Sequence, residues 1–122
     1  MMKIFENELD RLRYMLDEAD IPYETFKEEY DPIFTDLNSE FHNGNGKYKR
    51  NQIIYGRYSP CGWKLDGICQ IGSYGYETGL IETYGDLGVD EEDNPMVLTA
   101  EEAFNLILID WNTMEDRFKN DN

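Results

Sequence analysis

Cations, histidine and cysteine are all scarce in this chain, and each shortage closes off a class of chemistry. Lys and Arg number 11 against 26 Asp and Glu, a formal net charge of -15 over 122 residues. A phosphate backbone is held by clustered Lys and Arg, so nucleic acid is not expected as a direct partner. The same deficit argues against an anionic membrane surface. The single histidine, His42, sits in a polar Asn/Gly stretch; with no C-x-x-C, a zinc site is not expected. Nucleophilic catalysis through Cys-His or Ser-His would have to use His42 as base, with Cys61–His42 and Cys69–His42 the dyads to weigh. The reading adopted is the plainer one, with Cys69 in the core and His42 exposed. Two cysteines make no disulfide scaffold, and a chain of this length does not need one. There is no run of about 18 apolar residues, so no membrane span is expected. Met1–Asp10 has neither a basic n-region nor an apolar h-region, so no signal peptide is expected and the compartment is read as the cytoplasm.

What the chain does have is apolar area. Hydrophobic residues make up 40% and aromatics 14%, with nine Tyr and six Phe, which is too rich for a disordered chain. A single domain over residues 1–122 is expected, since two cores would not fit.

Met2, Phe5, Leu9, Leu12, Leu16 and Ala19 recur every three or four residues and predict an amphipathic helix over 3–19, stopped by Pro22. Residues 23–29 alternate weakly as an edge strand. Asp31-Pro32 reads as a helix start, with Ile33, Phe34, Leu37 and Phe41 continuing a helix over 32–41. Strands are predicted at 52–58, 63–72 and 80–84, separated by Ser59-Pro60-Cys61-Gly62 and by a Gly/Tyr-rich stretch from Ser73. Thr99-Ala100-Glu101-Glu102 is a capping box that opens a helix over 100–118. The expected fold is therefore α+β: a small antiparallel sheet packed by N-terminal and C-terminal helices.

Short segments are similar to a set of small phage and mobile-element proteins of Gram-positive gut bacteria. These are Ile21-Pro22-Tyr23, Gln52-Ile53, Ser73-Tyr74-Gly75, Gly79-Leu80-Ile81-Glu82 and Leu98-Thr99-Ala100-Glu101. The likeness covers about half the chain, and 31–50 has no counterpart in it. It implies an accessory protein working inside a bacterial cell, and it carries over no functional residues.

Two binding surfaces are candidates. The first is acidic: Glu6, Asp10, Asp17, Glu24, Glu28, Glu29, Asp31 and the loop Asp90, Glu91, Glu92, Asp93, with Tyr23 and Tyr30 as aromatic anchors. Carboxylates on a rigid scaffold can face the Arg and Lys with which another protein holds phosphates. The partner would then be a basic, nucleic-acid-binding host protein, such as a CRISPR effector or another defence nuclease, and the function inhibition without catalysis. The second is a nucleotide pocket, in which Arg50, Arg57 and Lys64 meet phosphates beside Ser73, Tyr74 and Gly75, as in a sponge for a signalling nucleotide. The Gly-rich stretch lacks the Lys-Ser/Thr of a P-loop. A phage structural or assembly component is the third alternative. The acidic loop lacks the alternating ligands and central Gly of a calcium site, so neither metal nor cofactor is expected. With 26 acids, some carboxylate pair falls at a glycosidase-like distance by chance. Leu106 and Ile109 lie off the main stripe of the last helix (Ala103, Phe104, Ile107, Leu108, Trp111, Met114, Phe118) and suggest either cover from the 32–41 helix or a self-association contact in a homodimer.

Overall fold

In a computed structural model, residues 5–30 and 48–120 are described, with side chains at 5–28 and 50–114. The 32–41 helix, Asp31 and His42 lie outside the described residues, as do the side chains of Glu29, Tyr30 and Phe118. Helix α1 (Glu8–Glu18) is followed by strands β1 (Glu24–Tyr30), β2 (Tyr48–Tyr55), β3 (Leu65–Ile68), β4 (Ile81–Tyr84) and β5 (Met96–Leu98), then by helix α2 (Ala100–Asn120). The strands form one antiparallel sheet in chain order, β1-β2-β3-β4-β5. The expected α+β architecture is the observed one: β1 falls where residues 23–29 read as an edge strand, and β5 at the opposite edge is an addition to the strands expected.

Side chains alternate across a sheet, so one face of each strand belongs to the helices. Ile53, Tyr55, Leu65, Cys69 and Ile81 point that way and meet Leu9, Leu12 and Leu16 of α1 and Ala103 and Ile107 of α2 in one core. Gly67 lies opposite Ile53 and Thr83. A Cβ there would sit 3.1 Å from Ile81 and 3.6 Å from Leu9, so the bare backbone at this point lets α1 settle close on the sheet.

Local chemistry sets the element ends. Helix α1 starts at Glu8 rather than at residue 3, because Asn7 takes an extended conformation and its side chain accepts from the Asp10 amide at 2.8 Å. It ends in a Schellman motif: Asp20 is left-handed (φ 56) and the Ile21 amide returns to the Leu16 carbonyl at 3.0 Å. The capping box of α2 forms as expected. Glu102 N–H donates to Thr99 Oγ1 at 3.2 Å and Thr99 N–H donates to Glu102 Oε1 at 2.9 Å. Glu8 of α1 accepts from the Ala100 amide at 3.0 Å, and Arg11 pairs with Glu101 at 3.0 Å, so the two helices are joined where α2 begins.

Arg13 clamps α1 to the sheet. Its guanidinium donates to Asp10 Oδ1 (2.9 Å), Thr25 Oγ1 (2.7 Å) and the Gln52 carbonyl (3.1 Å). At the other end of the sheet, Lys64 Nζ donates to both Asp110 oxygens at 2.9 Å, and Tyr55 Oη donates to Asp110 Oδ2 at 2.7 Å. This half-buried triad fixes α2 on the β2–β3 hairpin.

Leu106 and Ile109 do not share one uncovered face. Leu106 packs against the core, and only Ile109 projects, 68% exposed. A single exposed apolar side chain is ordinary and needs no partner. Their sequence spacing of three puts them side by side on an ideal helix, but the core wraps far enough round α2 to reach the first of them.

Candidate functional site

The acidic candidates divide once their hydrogen bonds are traced. Asp10 is held between Arg13 and Lys27, the latter at 3.2 Å. Asp17 accepts from the Tyr23 hydroxyl at 2.9 Å, and Tyr23 itself packs against the core. Burial first, and then Asp17, push that phenol up to about 12. Glu24 pairs with Arg57 at 2.6 Å. Asp90 accepts from the amides of Glu92 (2.9 Å) and Asn94 (3.0 Å), which is turn chemistry. By contrast, Glu6, Glu91, Glu92 and Asp93 are exposed with no cation against them among the described residues, and so are Glu18, Asp20 and Glu77, which lie outside the candidate set. The set does not gather on one spot. Glu24 and Glu28 lie on β1 at one edge of the sheet, while Asp90–Asp93 lead into β5 at the other edge, about 19 Å away at ordinary strand spacing.

The nucleotide-pocket set divides as well. Lys64 is committed to Asp110 and Arg57 to Glu24. Ser73 Oγ accepts from the Gln70 amide at 3.0 Å and donates to the Gln70 carbonyl at 2.7 Å, which ends the third strand earlier than expected. Gly75 is left-handed (φ 82), and a Cβ there would meet Val97 at 2.6 Å. Ser73 and Gly75 are thus turn residues. Tyr74 stands 74% exposed beside them.

Arg50 belongs to an arrangement that sequence spacing alone does not show. On the sheet face turned away from the helices, its guanidinium carbon lies 4.1 Å from the centroid of the Phe26 ring. Its Nε and Nη2 donate to Gln52 Oε1 at 2.9 and 2.6 Å, and Gln52 Nε2 donates to Asp66 Oδ1 at 2.8 Å. Register places Asp66 across from Tyr84, and Glu82 across from Ile68 on the same face. Asp66 is 9% and Glu82 3% exposed, on a face that α1 and α2 leave alone. Burial raises the Asp66 carboxyl above its ordinary value; Gln52, Arg50 and Arg57 pull it down, and Glu82 adds to the rise. Burial and the hydrogen bond to Glu82 push the Tyr84 hydroxyl up to about 12.

A carboxyl raised on folding holds its proton in the native state after the unfolded chain has lost it. Its contribution is therefore most favourable at acid pH and declines as pH rises through the folded value. Asp66→Asn keeps an oxygen for Gln52 and removes the charge. The variant should show a higher urea midpoint than the parent at pH 7, with the advantage shrinking as pH falls below the usual carboxylate range. An advantage that grows toward acid pH would contradict this account.

Cys69 is buried and its thiol is pushed up to about 11 by burial, so it stays protonated and is a weak nucleophile at neutral pH. Cys61 is exposed in the β2–β3 connection. Among the described residues, no group of three or more His, Cys, Asp or Glu is placed to hold a metal ion, and no helix is long and apolar enough to cross a membrane. In comparisons with known proteins, no family model, no curated protein and no solved structure matches this chain.

Proposed function

We propose that this is a non-enzymatic accessory protein of a phage or mobile element, one that blocks a basic, nucleic-acid-binding host protein by offering carboxylates where that protein holds phosphates. The observation that supports the reading most is where the positive charge goes. Every Arg and Lys whose side chain is described is engaged within the chain: Arg11 with Glu8 and Glu101, Arg13 and Lys27 with Asp10, Arg50 with Gln52 and Phe26, Arg57 with Glu24, and Lys64 with Asp110. Among the described acids, Glu6, Glu18, Asp20, Glu77, Glu91, Glu92 and Asp93 are left facing water. Part of this acid stands where folding alone disfavours it. The last turn of α1 carries Asp17 and Glu18 and no basic residue, with Asp20 just beyond, against the negative end of the helix dipole. A basic partner would relieve that repulsion.

The test is kinetic. With a nuclease captured from host lysate and then purified, association should slow roughly tenfold between low and physiological salt, because steering by exposed charge is screened over about 8–10 Å. Duplex nucleic acid should compete. Glu18→Lys combined with Asp20→Asn should slow association while leaving the fold at least as stable, since a cation suits that helix end and Asn keeps the left-handed turn at position 20. An on-rate indifferent to salt and to the double substitution rules out phosphate mimicry.

A further inference from the structure

We infer that the cleft at the open end of the β1–β2–β3 sheet is a binding site for an uncharged purine nucleoside or base of the adenine type, read by Asn51. The cleft has a volume of about 340 Å³ and takes its walls from five places: Glu6 before α1, Lys27 and Glu28 of β1, Arg50 and Asn51 of β2, the turn after β3, and Tyr76. That size is within the range of small-molecule pockets. It shares Glu6 and Glu28 with the acidic set but not the Glu18–Asp20 end of α1 invoked for a basic partner, and the inference does not depend on that reading.

Asn51 carries the argument. It is 8% exposed, and its backbone is fixed: the amide donates to Gln70 Oε1 at 2.9 Å, and the carbonyl accepts from the Cys69 amide at 3.0 Å. Its side-chain Oδ1 is fully enclosed and has no hydrogen-bond partner among the described residues. Buried polar atoms are nearly always satisfied, and an orphan on a residue that lines a cleft points to a donor from outside the chain, met when the Asn51 amide turns toward the cleft. An amide oxygen accepts an N–H or O–H, and the amide as a whole reads an edge with an amine next to a ring nitrogen, the pattern that adenine presents.

The other walls narrow the class. Lys27 and Arg50 are matched by Glu6 and Glu28, so the lining carries no net charge and sits in a domain of net charge -15. A phosphate group would be repelled there, which separates a nucleoside from a nucleotide. Tyr76, 42% exposed on its short 3-10 turn, offers a flat ring at the mouth, and base–aromatic stacking suits such a face. The volume leaves room for a purine.

Adenosine, purine riboside (which lacks the exocyclic amine) and AMP, titrated at millimolar concentration and followed by amide shifts in NMR, test the assignment. Adenosine is expected to bind, with shifts at Asn51, Gln70 and Tyr76. Purine riboside should bind at least tenfold more weakly, and AMP more weakly than adenosine at low salt. Asn51→Ala should keep its Tm without ligand, because an unpaired acceptor is being removed, and should lose the preference for adenosine over purine riboside. Tyr76→Ala, at an exposed position, should weaken all three and serves if Asn51→Ala does not fold. Absence of adenosine shifts, equal affinity for adenosine and purine riboside, or unchanged binding by both variants would each overturn the proposal.

Discussion

Gly88→Ala should fail to fold, or lose at least about 3 kcal/mol of stability, the largest single-residue effect expected in this chain. A Cβ at this position would lie 2.2 Å from the Tyr84 carbonyl oxygen and 2.7 Å from its carbonyl carbon and its nitrogen. All three are backbone atoms of the last residue of β4. The neighbouring chain cannot swing aside either. Thr83 Oγ1, fully buried, donates to the Gly88 carbonyl at 2.7 Å, and the Leu87 amide donates to the Lys64 carbonyl at 2.7 Å. Gly62 makes a useful control. A Cβ there would come within 2.3 Å of Tyr58, but the obstacle is a side chain 61% exposed that can rotate away. Gly62→Ala should therefore cost much less. Urea unfolding followed by circular dichroism measures both. A Gly88→Ala protein within about 1 kcal/mol of its parent would show that the 85–88 turn has other conformations open to it.

Asp110→Ala should remove about 2–3 kcal/mol by stripping the shared acceptor from Lys64 and Tyr55. The Lys64 side chain is 27% exposed, so water reaches part of the orphaned ammonium and the cost falls below that of a fully buried broken pair. Burial and Asp110 together hold the Tyr55 hydroxyl well above its ordinary pKa, so the phenol stays protonated and keeps donating at any ordinary pH. Asp110→Asn retains one oxygen for that donor and should lose less. A double variant, Asp110→Ala with Lys64→Met, should recover part of the loss, because the stranded charge goes with its partner. If the double variant is as unstable as the sum of the two single ones, the pair is not coupled and the triad is not what fixes α2.

The readable parts of this sequence were those in which one local rule acts alone. Thr99 and Glu102 cap α2 as a four-residue pattern requires, and Pro22 ends α1 through a Schellman turn at Asp20. Errors came where two rules competed. Met2 and Phe5 continue the apolar period of α1, but Asn7 caps the helix after them. Tyr48-Lys49-Arg50-Asn51 looks too polar for a central strand, yet Arg50 can lie flat on Phe26 and Asn51 stands where the sheet opens into a cleft. Met96–Leu98 is three residues squeezed between Pro95 and a helix cap, and becomes a strand only because β4 offers it an edge.

The candidate sites were less legible for a related reason. Arg50, Gln52 and Asp66 are linked by the β2–β3 register, which places Gln52 opposite Ile68 and diagonal to Asp66. No spacing along the chain carries that information. Of the acidic set, Glu24 and Asp10 looked available and turned out to be paired across elements, whereas Glu18 and Asp20 were passed over as the tail of a helix.

The order of the elements has a consequence for how this chain is made. Each strand pairs with the next one out, so the sheet can assemble hairpin by hairpin as synthesis proceeds. The helix-facing side of that sheet cannot be finished in the same way. Leu9, Leu12 and Leu16 cover part of it from the start, but Ala103 and Ile107, and the Asp110 that secures Lys64 and Tyr55, come from the last helix. At about 5–20 residues per second, the 21 residues of α2 take roughly 1–4 s to emerge. For that interval the nascent protein holds a nearly complete sheet with an unsealed apolar face, which makes chaperone capture most probable while α2 is still being made.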